Sequence, residues 1–276
     1  MRKMRRHFGK CALCGKECEL TFEHIPPRAA FNDTPVKGVS GEKFIGLNRN
    51  PWEIEDLQYI NLQRGYGKYS LCQECNNNTG SWYGDEYLLM VRAAYSLLAM
   101  SKEKPVYGVI IKECHPLRLI KQVLSMFCSI NPLPDKRMES LRSFVLNKNA
   151  TGLDPTKYKV CMYFTDSSLL KLNGLSVIGH ISETGCNAMA ISEITAFPLG
   201  FLLYFDPKNG WDYNGVDITS FGQAEYDDKT EVTIPFIKLE VNSWISGDFR
   251  TKDEIIQCIT ESNEWEKENG TETATN

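Results

Sequence analysis

The sequence predicts an α+β fold: a small cysteine-stapled unit, a helical middle and a β-rich C-terminal half. Three observations predict it. Two C-x-x-C pairs, Cys11/Cys14 and Cys72/Cys75, bracket a region rich in Gly, Asn and Pro. Apolar residues then recur at helical spacing from residue 85 to residue 146. Beyond residue 155, short β-branched and aromatic runs alternate with turn residues. The expected divisions are 1–84, 85–150, 151–262 and a disordered acidic tail, 263–276.

In the first unit, Leu20 and Phe22 alternate with Glu19 and Thr21, which reads as a strand running into Glu23-His24. Lys68 to Leu71 reads as a second strand leading into Cys72. A long insertion lies between them, with turn signals at Gly38, Gly41 and Asn50-Pro51. A helix is expected from Asp85, carrying Tyr87, Val91, Ala94, Tyr95 and Leu98 on one face. Pro116 suits the first turn of a second helix, with Leu117, Ile120, Leu124 and Phe127 along one side. A third helix is expected over Asp135 to Leu146. Strands are expected at Lys159–Phe164, Leu175–Ile181, Ala188–Thr195, Leu199–Phe205 and Glu231–Leu239, and a last helix at Lys252–Thr260. The segment Asp206-Pro207-Lys208-Asn209-Gly210 is a turn signal. No motif of known chemistry falls in the β-rich half, whose expected role is sensing, targeting, oligomerisation or holding a protein partner.

Composition narrows the classes. The chain has 276 residues, 42% of them hydrophobic and 24% charged, as expected of a soluble globular protein. The basic start MRKMRRHFGK has no apolar stretch behind it, so it does not read as a secretory signal, and no run suits a membrane span. Ten cysteines without an export signal point to a reducing cytoplasm rather than a disulfide framework. The net charge of −4 hides an asymmetry: residues 1–80 hold 12 Lys and Arg against 9 Asp and Glu. A mildly basic N-terminal unit is compatible with a polyanionic partner.

The paired knuckles carry the clearest chemistry. Two sulfurs one turn apart can bind a single ion, so Cys11, Cys14, Cys72 and Cys75 together form a closed tetrahedral set, the signature of structural Zn²⁺. The alternatives are two unrelated pairs or a dithiol redox motif, and a redox motif explains one pair but not two. The 57 residues between the knuckles exceed the usual spacing of such sites. Between the knuckles stands Glu23-His24-Ile25-Pro26-Pro27-Arg28, and directly after the second comes Asn76-Asn77-Asn78-Thr79-Gly80. A metal joining the knuckles would bring the carboxylate–histidine pair to the carboxamide without entering the reaction.

At these residues, roughly 8–84, the chain resembles the HNH endonuclease family, whose zinc-stapled fold is ββα-metal. The elements that match are Cys11/Cys14, Glu23-His24-Ile25-Pro26, Asn61-Leu62 and Cys72/Cys75-Asn76 with Gly80. The resemblance implies metal-assisted hydrolysis of nucleic-acid phosphodiester bonds, with DNA the expected substrate. His24 would be the general base, a role suited to its near-neutral reference pKa. Glu23 and Asn76 would hold one catalytic Mg²⁺ or Mn²⁺. Arg28, with Arg5 and Arg6 of the basic arm, would contact nucleic-acid phosphates. Glu23 stands where the family usually has Asp, and Asn61 lies 11 positions before Cys72, so the middle asparagine is Asn61, Asn77 or Asn78, or the role is vacant. Some nucleases of this kind serve in bacterial anti-phage defence, which by analogy would make the C-terminal half a restraint on a toxic activity. The alternative reading is a non-catalytic zinc module that binds nucleic acid or a protein, in which His24 is dispensable.

Overall fold

A computed structural model describes residues 6–44, 50–54, 56–132, 135–182 and 185–269. In chain order its elements are β1 (His7–Lys10), β2 (Glu17–His24), β3 (Val36–Gly38), β4 (Ile60–Leu62), β5 (Gly67–Cys72), α1 (Gln73–Ser101), β6 (Gly108–Cys114), α2 (Pro116–Ile130), α3 (Lys136–Leu146), β7 (Tyr158–Phe164), β8 (Lys171–Ser182), β9 (Gly185–Ala196), β10 (Leu199–Phe205), β11 (Val216–Asp217), β12 (Thr230–Pro235) and α4 (Lys252–Asn269). The chain is α+β, as its sequence predicts.

The two expected N-terminal strands are β2 and β5, paired antiparallel with Leu20 opposite Cys72, Phe22 opposite Tyr69 and His24 opposite Gly67. A register shift between Thr21 and Phe22 turns the end of β2, a device that re-aims side chains. β1, absent from the sequence expectations, pairs with the outer edge of β2. The insertion between the strands folds into a small ribbon in which β3 pairs with β4.

α1 corrects one expectation. It starts at Gln73, directly on the second knuckle, instead of at Asp85, so residue 84 lies mid-helix. Asn76 to Asn78, Gly80 and Gly84 are weak helix formers and concealed this. The knuckle supplies what their propensity lacks: Cys72 caps the helix, its Sγ accepting from Cys75 N at 3.5 Å. Burial then carries it onward, through Cys75, Thr79, Tyr83, Tyr87, Met90, Val91 and Ala94.

α2 is the hub. Pro116 stands in its first turn, and nearly every residue from Leu117 to Ser129 is buried, including the polar Lys121, Gln122, Ser125 and Ser129. It packs on α1 and α3, and touches β5, β8 and β9. α3 begins as expected, with Asp135 accepting from Arg137 N at 2.8 Å. The β-rich half is a five-stranded sheet, β11-β7-β10-β9-β8, whose pairings are all antiparallel. β12, expected as a longer strand, joins β6 in a separate ribbon. One buried cluster runs without a break from Cys11 through α1 and α2 to Phe205.

The last helix is longer than its apolar pattern suggested. α4 opens with a reciprocal cap, Thr251 N to Glu254 Oε2 at 2.7 Å and Glu254 N to Thr251 Oγ1 at 3.3 Å, and continues through Asn269. The tail expected to be disordered from residue 263 is therefore helical to Asn269, and residues 270–276 lie outside the described part. Among the described residues no helix is long and apolar enough to cross a membrane.

Candidate active site

The four knuckle cysteines come together. All four Sγ atoms lie within 4.8 Å of one another, and Cys14 and Cys72 are 3.9 Å apart. A tetrahedron with metal–sulfur bonds of about 2.3 Å has edges of about 3.8 Å, so the cluster matches a metal-sized cage. The backbone builds it. Ala12 N donates to Ser70 O at 2.8 Å, tying the first knuckle to β5, and Cys72 N donates to Cys11 Sγ at 3.3 Å. Packed together, the sulfurs compete for protons: a bond from Cys75 brings Cys11 down to about 4, while that bond and burial push Cys75 up. A cation ends the competition, because only thiolates ligate and their protons leave. The four cysteines form a cluster able to hold a metal ion.

Beside the clamp, a cavity of about 310 Å³ opens where the end of β2 meets α1 and α2. Glu23, His24, Arg28 and Asn76 line it, as do Gly80, Gly84, Asp85 and Gln122. His24 is fixed through Nε2, 3.0 Å from Arg64 O. A carbonyl oxygen only accepts, so Nε2 is the donor, and in a neutral ring that leaves Nδ1 with the lone pair. The ring stands edge-on to Phe22, at 5.1 Å between centroids, and Phe22 meets Tyr69 in the same way. Arg64 precedes Gly65, which adopts φ +80°, and a Cβ there would lie 2.1 Å from Asn32 O. Only glycine lets the chain turn tightly enough to aim that carbonyl.

Glu23 is 8% exposed and its Oε2 accepts hydroxyls from Ser70 at 2.8 Å and Ser129 at 2.7 Å. Burial pushes its carboxyl up to about 7 against the pull of both serines. Asn76 Nδ2 donates to Thr21 Oγ1 at 3.0 Å, and Thr21 Oγ1 donates to Leu71 O at 3.0 Å. That chain fixes the amide and leaves Asn76 Oδ1 as its acceptor. Arg28 is exposed at the rim.

Not every expected residue converges here. Asn61 is exposed in β4 opposite Lys37 and lines no part of the cavity. The asparagine that braces the loop after His24 is Asn32, which the sequence did not single out. Its Nδ2 donates to Pro26 O at 2.6 Å and Tyr66 O at 2.7 Å, and its Oδ1 accepts from Tyr66 N at 2.7 Å. Position 32 sits in the insertion, and no spacing rule distinguishes it from the other asparagines there. Asn77 and Asn78 are likewise absent from the cavity lining. Arg6 lies at the surface, 3.8 Å from Glu19, and Arg5 falls outside the described residues. Ser70, Ser129, Gln122 and Asp85 are not marked by the sequence as site residues, since they come together only when β5, α2 and α1 pack.

A larger hollow of about 440 Å³ lies by α3, lined by Lys136, Arg137, Ser140, Tyr158 and Asp206 among others. Its polar groups serve one another: Tyr158 OH bonds Ser140 Oγ and Arg137 O, and Arg137 forks onto Asp135. Comparison with protein-family models, curated proteins and solved structures finds no match for the chain.

Proposed function

We propose that the chain is a metal-dependent nuclease of the HNH type, hydrolysing phosphodiester bonds of nucleic acid, DNA the expected substrate. The observation that carries this reading is the cavity in which Glu23, His24 and Asn76 meet beside the four-cysteine clamp. The order β2, β5, α1, with the second knuckle capping the helix, is consistent with it. Zn²⁺ is the proposed occupant of the clamp, because four thiolates make a closed tetrahedral set suited to it.

The second ion, Mg²⁺ or Mn²⁺, would be held by Glu23 and by Asn76 Oδ1. Among the described residues only the clamp groups three or more His, Cys, Asp or Glu donors. Two protein oxygens nonetheless suit Mg²⁺, which keeps several waters and completes its shell from substrate phosphate. When bound, the ion supplies Lewis acidity at the phosphoryl oxygens. The protein does the rest. Arg64 O orients the imidazole, His24 Nδ1 takes the proton of the attacking water, and Arg28 binds a flanking phosphate. A regulated defence role for the whole chain is carried by analogy alone.

One observation favours the alternative of a non-catalytic zinc module: Glu23 Oε2 is already committed to two serines. The deciding experiment incubates DNA or RNA with Mg²⁺ or Mn²⁺ and wild-type protein or His24→Ala, with zinc content measured in both. Cleavage should fall by about 10²–10⁴-fold in the variant while its zinc is retained. Equal cleavage by both, or none by either on any substrate, sinks the nuclease reading.

A further inference from the structure

α1 carries glycine at positions 80 and 84, one turn apart, and both line the cavity. Glycine inside a helix weakens it relative to alanine, so such a residue needs a reason. Packing is not the reason. A Cβ built on Gly80 or Gly84 meets nothing within 4 Å. The strip is bare helix backbone facing open space.

A second observation points to what fills that space. Gln122, on the facing side of α2, lines the same cavity and is 4% exposed. Its Oε1 is buried and has no hydrogen-bond partner. An orphaned carbonyl of this kind is costly unless a ligand or water supplies a donor. Arg28 at the rim offers a cation to an anion, and the exposed Asp85 on the same wall is a further acceptor. The cavity thus asks for one molecule that bears both negative charge and hydrogen-bond donors, and that presents a flat edge to a bare helix. A phosphodiester group alone has the charge without the donors. A nucleotide in a strand has both.

We propose that Gly80, Gly84 and Gln122 form a nucleotide subsite adjoining His24. The sugar–phosphate backbone of the bound strand lies against the glycine strip, and one nucleotide donates a hydrogen bond to Gln122 Oε1 from a ribose 2′-hydroxyl or a base amino group. The proposal rests on the nucleic-acid reading above and adds the place where the strand is gripped.

The test uses the full chain without divalent cation. Its probes are fluorescently labelled DNA and RNA oligonucleotides of one sequence, whose dissociation constants are measured beside thermal midpoints. Gly84→Ala and Gly80→Ala should bind about tenfold more weakly while melting at the wild-type temperature or above it, since alanine favours the helix and displaces only ligand. Gln122→Met should weaken RNA alone if the donor is the 2′-hydroxyl, or both probes alike if it is a base amino group. Unchanged affinity in the glycine variants overturns the subsite, as does a fall in their thermal midpoint, which would assign the glycines to the fold. Unchanged affinity of Gln122→Met for both probes does the same. If wild type cleaves and the variants bind and cleave like it, the subsite fails while the nuclease reading stands. If wild type neither binds nor cleaves either nucleic acid, the reading fails and the subsite falls with it.

Discussion

Two sets of buried polar side chains, one in the five-stranded sheet and one around α2, each include a buried glutamate and are finished differently. In the five-stranded sheet, Lys171 and Glu193 pair at 2.9 Å with side chains 2% and 0% exposed. Glu193 Oε1 also accepts from Tyr163 at 2.8 Å and Thr195 at 3.0 Å, and its Oε2 accepts from Gly247 N at 2.8 Å. Lys171 donates its remaining protons to Ser243 O and Ile245 O. Every oxygen of that carboxylate is used, and the network binds residues 243–247 onto β8 and β9. Around α2 the pattern is open. Glu23 is bonded by two serines, but Gln122 Oε1, Ser125 Oγ and Glu86 Oε1 are buried without partners. A closed network specifies a fold, whereas an unpaired acceptor bordering a cavity, as Gln122 Oε1 does, is poised for something outside the protein.

The clamp offers the largest way to break that contrast. Cys75→Ala removes one ligand of the proposed Zn²⁺, and structural zinc sites couple on the order of 10 kcal/mol of binding to folding. Hydrogen exchange should then show β1, β2, β5 and the first turns of α1 losing protection, and cleavage should vanish. Amides of β7, β9 and β10 should keep theirs, because the Lys171–Glu193 network does not depend on the clamp. If protection falls equally in both halves, the unbroken core that joins them makes the chain one cooperative unit, and the division into a metal-built site and a self-supporting sheet is wrong.

The reverse change comes next in size. Lys171→Met leaves Glu193 charged, buried and without its cation, a loss of about 3–5 kcal/mol of stability. Urea denaturation should register that loss, while cleavage per folded molecule stays at the wild-type level, since no residue of the network lines the His24 cavity. A specific loss of cleavage under conditions where the variant is fully folded would show that the sheet positions the site.

The sequence made the clamp legible because C-x-x-C is a local pattern with its chemistry inside it, and the same holds for Glu23-His24 at the end of a strand. What it concealed depends on distant segments meeting. Ser70 and Ser129 come from β5 and α2 to one carboxylate, and Asn32 acts through backbone groups of Pro26 and Tyr66. Asn61 reads as the middle asparagine because it precedes the second knuckle, but it pairs with β3 in a ribbon and lines no part of the cavity. α1 starts earlier than its sequence pattern suggests for a physical reason. Propensity describes an isolated helix, and its first three turns are made by a sulfur cap and by burial against α2. The long strands β7 to β10 were legible because their runs are bounded by turns, whereas the edge strand β1 is only four residues long.

A second buried lysine gives the finest version of the comparison. Lys121 on α2 is buried like Lys171, but among the described residues no carboxylate pairs with it. Its Nζ donates to Asn147 O at 2.6 Å and Lys148 O at 3.1 Å and stands 4.4 Å from the Phe144 ring centre. Burial brings it down to about 8 from the usual 10.5. Below pH 8 the lysine is charged in both folded and unfolded chains, and the cost of burying that charge is carried in full. Between pH 8 and 10.5 the folded protein releases the proton while the unfolded chain still holds it, so stability rises with pH, by up to about 3 kcal/mol. Urea midpoints of wild type and Lys121→Met, compared across that range, isolate the effect, because the variant lacks the titrating group. Wild type should gain on the variant as pH rises. A constant difference would mean that two backbone carbonyls and a ring hold an ammonium as well as Glu193 holds Lys171, and that a buried cation here needs no counter-ion.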